Sequence, residues 1–199
     1  VQLCPQNHGK LTRPLLSRLQ KSYPDTMFRL HATCRLDRNG YKRFEASTPL
    51  VASLSYFKEM AELSSWLGAP AYSLHAGKRE ESTLEIMKKN VQTLQDVFSC
   101  PVAVEGLYPT KGDSLLVSTW KEYQWLMDSG LFYAVDMSHL NIVAARLRRW
   151  DSGLVAALLP HPNCIEVSLS SNNGLSEMHL PTEGDAVCYT HSQRQSRRA

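Results

Sequence analysis

Short apolar runs rich in β-forming residues alternate along the chain with longer stretches of helical period, which is the pattern of βα units around a parallel sheet. Six such runs stand out, over residues 1–4, 28–34, 71–76, 102–107, 132–137 and 164–170. Between them, Leu11, Leu15, Leu16 and Leu19 share one face of a helix expected over 11–22, with Pro14 in its first turn. Residues 49–67 repeat the device through Leu50, Leu54, Phe57, Met60, Ala61 and Leu67, and Gly68 stops the helix. A third stripe, Ile86, Met87, Val91, Leu94 and Val97, predicts a helix over 82–98. Residues 119–128 open on a hydroxyl cap and stop at Gly130, and 140–150 make a further short helix. The fold class that follows is α/β with a parallel sheet.

Composition narrows the picture without changing it. A chain of 199 residues with 43% hydrophobic content can bury one substantial core, so residues 1–184 are taken as a single domain. From residue 185 the hydrophobic period is lost, and 185–199 reads as a mobile basic tail. Three of that tail's arginines, Arg194, Arg197 and Arg198, contribute to the net charge of +3, so the body is close to neutral. That argues against a nucleic-acid partner, which needs a basic face. No apolar run approaches the roughly 20 residues of a membrane span, and the first residues lack the signature of a signal peptide. The expectation is a cytoplasmic protein without a membrane partner. Five widely spaced cysteines with no CxxC pair read as buried thiols rather than disulfides or a thiolate zinc site.

Polar residues capable of chemistry fall late in the apolar runs, where the strands of a parallel barrel deliver their side chains to a common mouth. His31 follows Phe28-Arg29-Leu30, His75 follows Tyr72-Ser73-Leu74, Glu105 follows Val102-Ala103-Val104, and Asp136 follows Tyr133-Ala134-Val135, with His139 three residues on. One histidine at a strand end is more often structural than ligating, and one carboxylate there often caps the next helix. Four successive strands ending alike argue against coincidence. Buried carboxylates at 105 and 136 require a cation or a hydrogen-bond network, and the nearest groups are His31, His75 and His139. Mixed imidazole and carboxylate ligation suits zinc, manganese, iron or cobalt better than calcium. In the sixth run Glu166, Ser168 and Ser170 share a face, with Glu166 deeper and Ser168 nearer the mouth if that face is internal. The following loop carries Glu177 and His179, two apart and able to reach one ion or phosphate.

The segments FRLHATC, YSLHAG, VAVEGLYP, AVDMSHL and VSLSSNNGLSEMHLPTEGD, in this order, resemble the xylose isomerase-like TIM barrel superfamily, which includes sugar-phosphate isomerases and epimerases and the endonuclease IV type of nuclease. The resemblance implies an incomplete (β/α)8 barrel with about six recognisable parallel strands, the first and last of the family having no counterpart. It implies metal binding by Glu105 and Asp136, and substrate or further metal contact by His139. His31 and His75 match histidines that bind zinc in the nuclease and line the sugar pocket elsewhere, and Glu177 with His179 resembles an Asp-x-His pair. Ser168 stands where the family has a metal-binding histidine. Six strands would leave two open edges and an exposed apolar interior, to be covered by a partner chain, a swapped second copy, the tail over 185–199 or residues outside this sequence.

Three functions follow from this resemblance. The first is a divalent-metal isomerase or epimerase acting on a small sugar or sugar phosphate, with Glu105 and His139 as catalytic residues and Glu177, His179 and Ser168 in substrate contact. The second is a zinc phosphodiester hydrolase of the endonuclease IV type. The third is a degenerate barrel kept as a binding or assembly partner without catalysis.

Overall fold

The computed structural model describes residues 1–4, 11–31, 34–37, 40–170, 172 and 174–175, with 34–37 and 40–42 described by their backbone alone. Parallel strands β1 (Gln2–Leu3), β2 (Arg29–Leu30), β5 (Tyr72–His75), β6 (Val102–Glu105), β7 (Phe132–Asp136) and β8 (Cys164–Ser168) form one sheet in that spatial order. Strands β3 (Cys34–Asp37) and β4 (Gly40–Arg43) make a separate antiparallel hairpin. The helices are α1 (Arg13–Ser22), α2 (Leu50–Leu67), α3 (Leu84–Gln95), α4 (Trp120–Asp128), α5 (Met137–Leu147) and α6 (Ser152–Leu158). The sheet curls into a half-barrel, an incomplete α/β TIM barrel. Its curl is read directly from side chains: Gln2 on one end strand donates to Glu166 on the other at 3.0 Å.

Local chemistry sets most boundaries. Thr12, Thr83 and Thr119 accept the backbone N–H three residues on, capping α1, α3 and α4, and Asp151 does the same for α6. Gly68 adopts φ 61°, a left-handed conformation that ends α2 while its N–H reaches the Ser64 and Ser65 carbonyls.

Period-two alternation divides each strand of the parallel sheet between two environments. Leu30, Tyr72, Leu74, Val102, Val104, Tyr133 and Val135 face outward into one core with Leu16, Phe57, Met60, Met87, Val91, Leu94, Leu126 and Leu140 from the helices. Phe44 stacks on Tyr56 and Tyr72 on Phe98, each with ring centroids 4.3 Å apart. The alternate positions, Gln2, Arg29, His31, Ser73, His75, Glu105, Asp136, Glu166 and Ser168, face the concave side together with Ala103 and Ala134. The interior is therefore mixed rather than wholly apolar: Phe132, in register with Ala103, is apolar, while the other inward positions named are polar or small and the outward face carries the hydrophobic core.

Two other expectations change, and one helix appears that none announced. The run at 28–34 contributes only Arg29–Leu30 to the sheet, because Cys34 already belongs to the hairpin. The helix expected over 140–150 starts at Met137, since the Asp136 carboxylate accepts from Ser138 N–H and His139 N–H and caps it directly. Helix α6 has no forerunner in the sequence pattern; seven residues beginning Ser152-Gly153 are too few to display a period. Among the described residues Cys4, Cys100 and Cys164 form no disulfide; Cys100 is buried, as expected, whereas Cys4 and Cys164 are half-buried. No helix among them is long and apolar enough to cross a membrane. The tail over 185–199 lies outside the described residues.

Candidate metal centre

Strand register brings the late-strand polar groups into adjacent positions. His75 pairs with Glu105 across β5 and β6, and Glu105 with Ala134 across β6 and β7, so Asp136 stands one inward position further up. Side chains from β5, β6, β7 and α5, together with His31 just past β2, then meet. His31, His75 and Glu105 offer ligand atoms all within 4.8 Å of one another, and so do Glu105, Asp136 and His139. Glu105 is common to both groups. All but His75 are less than 9% exposed, and the His75 side chain is 22% exposed toward the mouth.

Each histidine has its Nδ1 against a protein group. His31 Nδ1 lies 3.1 Å from Ser73 Oγ and 3.6 Å from a Glu105 oxygen. His75 Nδ1 lies 3.6 Å from Glu45 Oε1. His139 Nδ1 donates to the Gly106 carbonyl at 2.7 Å. The Nε2 atoms of His31 and His75 then face one another at 3.2 Å. Two ring nitrogens so close must share either a proton or a cation. Ligand nitrogens at about 2.0–2.1 Å from a tetrahedral zinc are separated by about 3.3 Å, so the pair matches the edge of such a site. The donor set of imidazoles and carboxylates thus fits a borderline-soft divalent ion without rearrangement of this pair.

Below the mouth lies a second polar layer. Glu166 Oε1 receives Gln2 Nε2 and forms an ion pair with Arg29, and Gln2 also reaches Ser73 Oγ at 3.3 Å. Burial raises the Glu166 carboxyl above its ordinary value; Arg29 opposes that shift and Glu105 adds to it. Ser168 pairs in register with Asp136, but its hydroxyl lies 3.5 Å from Glu166 Oε1, on the floor side. Glu177 and His179 lie outside the described residues.

Close packing holds the site in place. A Cβ on Gly106 would collide with the Tyr123 ring, whose hydroxyl donates to the Leu107 carbonyl at 2.9 Å. Burial, then the charges of Asp136, Glu105 and Glu122, push the Tyr123 hydroxyl well above its usual range, so it stays a neutral donor. The loops above the strands are tied by Arg79, which makes two hydrogen bonds to Glu122 at 2.7 and 2.9 Å. Burial would raise Glu122; Arg79, the Ser118 N–H and Thr119 outweigh it and hold the carboxyl low.

Four residues of this constellation escape a strand-end reading: Gln2, Arg29, Ser73 and Glu45. Two of them carried a signal, since Arg29 and Ser73 stand two residues before His31 and His75 and so share their face. Glu45 carried none, because it lies just past a hairpin that no periodicity announced.

No family model matches the chain, and no curated protein matches it. Solved structures do. A D-tagatose 3-epimerase-like protein aligns with TM-score 0.67 at 12% identity, covering 99% of this chain and 76% of its own. A xylose isomerase domain containing protein from Salmonella typhimurium gives 0.64 at 15%, covering 100% and 74%. Endonuclease IV from Thermus thermophilus gives 0.54 at 14%, covering 85% and 65%. The chain shares the TIM-barrel fold of these proteins, and a D-psicose 3-epimerase is also among its structural neighbours.

Proposed function

We propose that this chain is a divalent-metal-dependent isomerase or epimerase of a small sugar or sugar phosphate, built on a barrel domain over residues 1–184. The observation that carries the reading is that Glu105 is shared by two groups of potential ligands at the mouth of a wall lined with hydrogen-bonding side chains. A polyhydroxylated substrate finds partners on such a wall, whereas an apolar one would leave its polar groups unpaired.

Glu105, Asp136, His75 and His31 would hold the ion, with zinc, manganese, iron and cobalt suited to the donors. A bound ion supplies polarisation of a carbonyl and its neighbouring hydroxyl, which acidifies the hydrogen on carbon. Glu105 would accept that proton and deliver it to the adjacent carbon, which completes an isomerisation; inversion at a single carbon would need a proton donor on the opposite face. His139, held through Nδ1 by the Gly106 carbonyl, turns Nε2 to a substrate oxygen. Glu177 and His179 would contact the remaining hydroxyls or a phosphate, and Ser168 would join them by turning its hydroxyl away from Glu166. Glu166 is no second base in this scheme, because Arg29 and Gln2 hold it on the floor.

A specific observation favours a second reading. One ion suffices for carbonyl polarisation, and the His31, His75, Glu105 group beside the Glu105, Asp136, His139 group is more than that. Two ions bridged by one carboxylate suit hydrolysis of a phosphate ester.

Solvent exchange separates the two. Protein loaded with manganese, cobalt or zinc is incubated in D2O with ketopentoses, ketohexoses and their phosphates, and deuterium at the carbon next to the carbonyl is read by NMR. Proton transfer requires incorporation, abolished in Glu105→Gln. Absence of exchange with cleavage of abasic duplex DNA establishes the hydrolase, and failure to retain any of these metals removes both enzyme readings.

A further inference from the structure

We infer that Glu45 is a positioning residue for the metal site: its carboxylate takes the Nδ1 proton of His75 as a hydrogen-bond partner and so turns His75 Nε2 toward His31 and Glu105. The inference deepens the metal-dependent reading above and rests on it.

The geometry is one-sided in a useful way. Glu45 Oε1 stands 3.6 Å from His75 Nδ1, while Nε2 of the same ring stands 3.2 Å from His31 Nε2 and 4.0 Å from Glu105 Oε1. A carboxylate facing Nδ1 keeps the proton there, because the ionised acid is an acceptor and repels a bare nitrogen lone pair. Nε2 is then the ligating atom. At 3.6 Å the contact is longer than a formed hydrogen bond, and a shift of a few tenths of an ångström makes it one. Carboxylates in this relation to ligating histidines fix the ring and raise its basicity.

Glu45 is also held as a designed feature would be. It is 3% exposed, and its own N–H donates to Thr48 Oγ1 at 3.0 Å. The next residue, Ala46, donates its N–H to the His75 carbonyl at 2.9 Å, which staples this segment to the end of β5. Asn90 from α3 donates to the Ala46 carbonyl, also at 2.9 Å. Ser47 packs into the space that a Cβ on Gly77 would fill, two residues past His75. A buried carboxylate costs stability unless it is paired, and the partners given to this one are His75 and, at 3.8 Å, the exposed Arg43.

Chelator competition on the whole chain with zinc tests the assignment. Glu45→Ala should weaken zinc binding roughly 10- to 100-fold, while Glu45→Gln, which keeps an acceptor oxygen without the charge, falls between it and the wild type. Long-range 15N–1H spectra of the metal-free proteins give a readout that a merely structural role would leave alone. His75 should be the Nδ1–H tautomer in the wild type and a mixture in Glu45→Ala. Should Glu45→Ala fail to fold, Glu45→Gln carries the test by the same two readouts. Wild-type zinc affinity in both variants with an unchanged tautomer overturns the inference and leaves the metal reading standing. A wild type that binds no zinc overturns both.

Discussion

His31 Nε2 and His75 Nε2 face each other across 3.2 Å, although 44 residues separate them in the chain. The separation matches the ligand edge of a tetrahedral ion, and that match governs the stability expected of the protein. A ligand that binds only the folded chain stabilises it by about 2.7 kcal/mol at a hundredfold excess over Kd. Zinc should therefore raise the melting temperature by roughly 5–10 °C for a chain of this size, and a chelator should reverse it. Differential scanning fluorimetry of His75→Ala should show a smaller shift, and of Glu105→Gln the smallest, because Glu105 belongs to both ligand groups. An equal shift in all three would place the ion elsewhere.

The Arg79 to Glu122 pair should give the protein a defined acid sensitivity. Glu122 is held below its ordinary value in the folded chain, so the unfolded chain binds a proton first as pH falls. The stabilisation is complete above the unfolded carboxyl value of about 4.3 and is lost as pH drops through the folded one. Glu122→Gln should cost about 1–2 kcal/mol at pH 7, a figure discounted because Arg79 is about one-third exposed. Urea unfolding across pH should find the gap between wild type and variant steady from about pH 7 to 5 and narrowing below about 4.

Arg29 and Glu166 form the floor of the barrel, and breaking one side of the pair differs from removing both. Arg29→Met leaves the Glu166 carboxylate buried with its main counter-charge gone, at a cost of about 3 kcal/mol. The double variant Arg29→Met with Glu166→Met should recover most of that loss, since well-packed apolar residues often replace a buried pair without penalty. Equilibrium unfolding of the wild type, the two single variants and the double variant gives the coupling energy. Additive effects would mean that the pair contributes nothing as a pair.

Period and punctuation along the chain determined the fold class and the polar strand ends at His31, His75, Glu105 and Asp136. A strand alternates by two and a helix by 3.6, so apolar residues declare which face is buried before any long-range contact is known. The same rule put Glu166 deep and Ser168 higher on the last strand. Tertiary structure alone decided which of these groups meet. Sheet curl carries Gln2 to Glu166, and strand register sets His75 beside Glu105. Both depend on pairing between strands dozens of residues apart, which local periodicity does not encode. Glu45 is the clearest instance: it reaches His75 because a hairpin, the Asn90 amide and a glycine without a Cβ hold its segment against β5. The wall facing the site is mostly polar for a related reason, because the half-barrel buries its hydrophobic residues outward beneath the helices. The sequence supplies alternation along each strand, and only closure of the sheet decides which side becomes the inside.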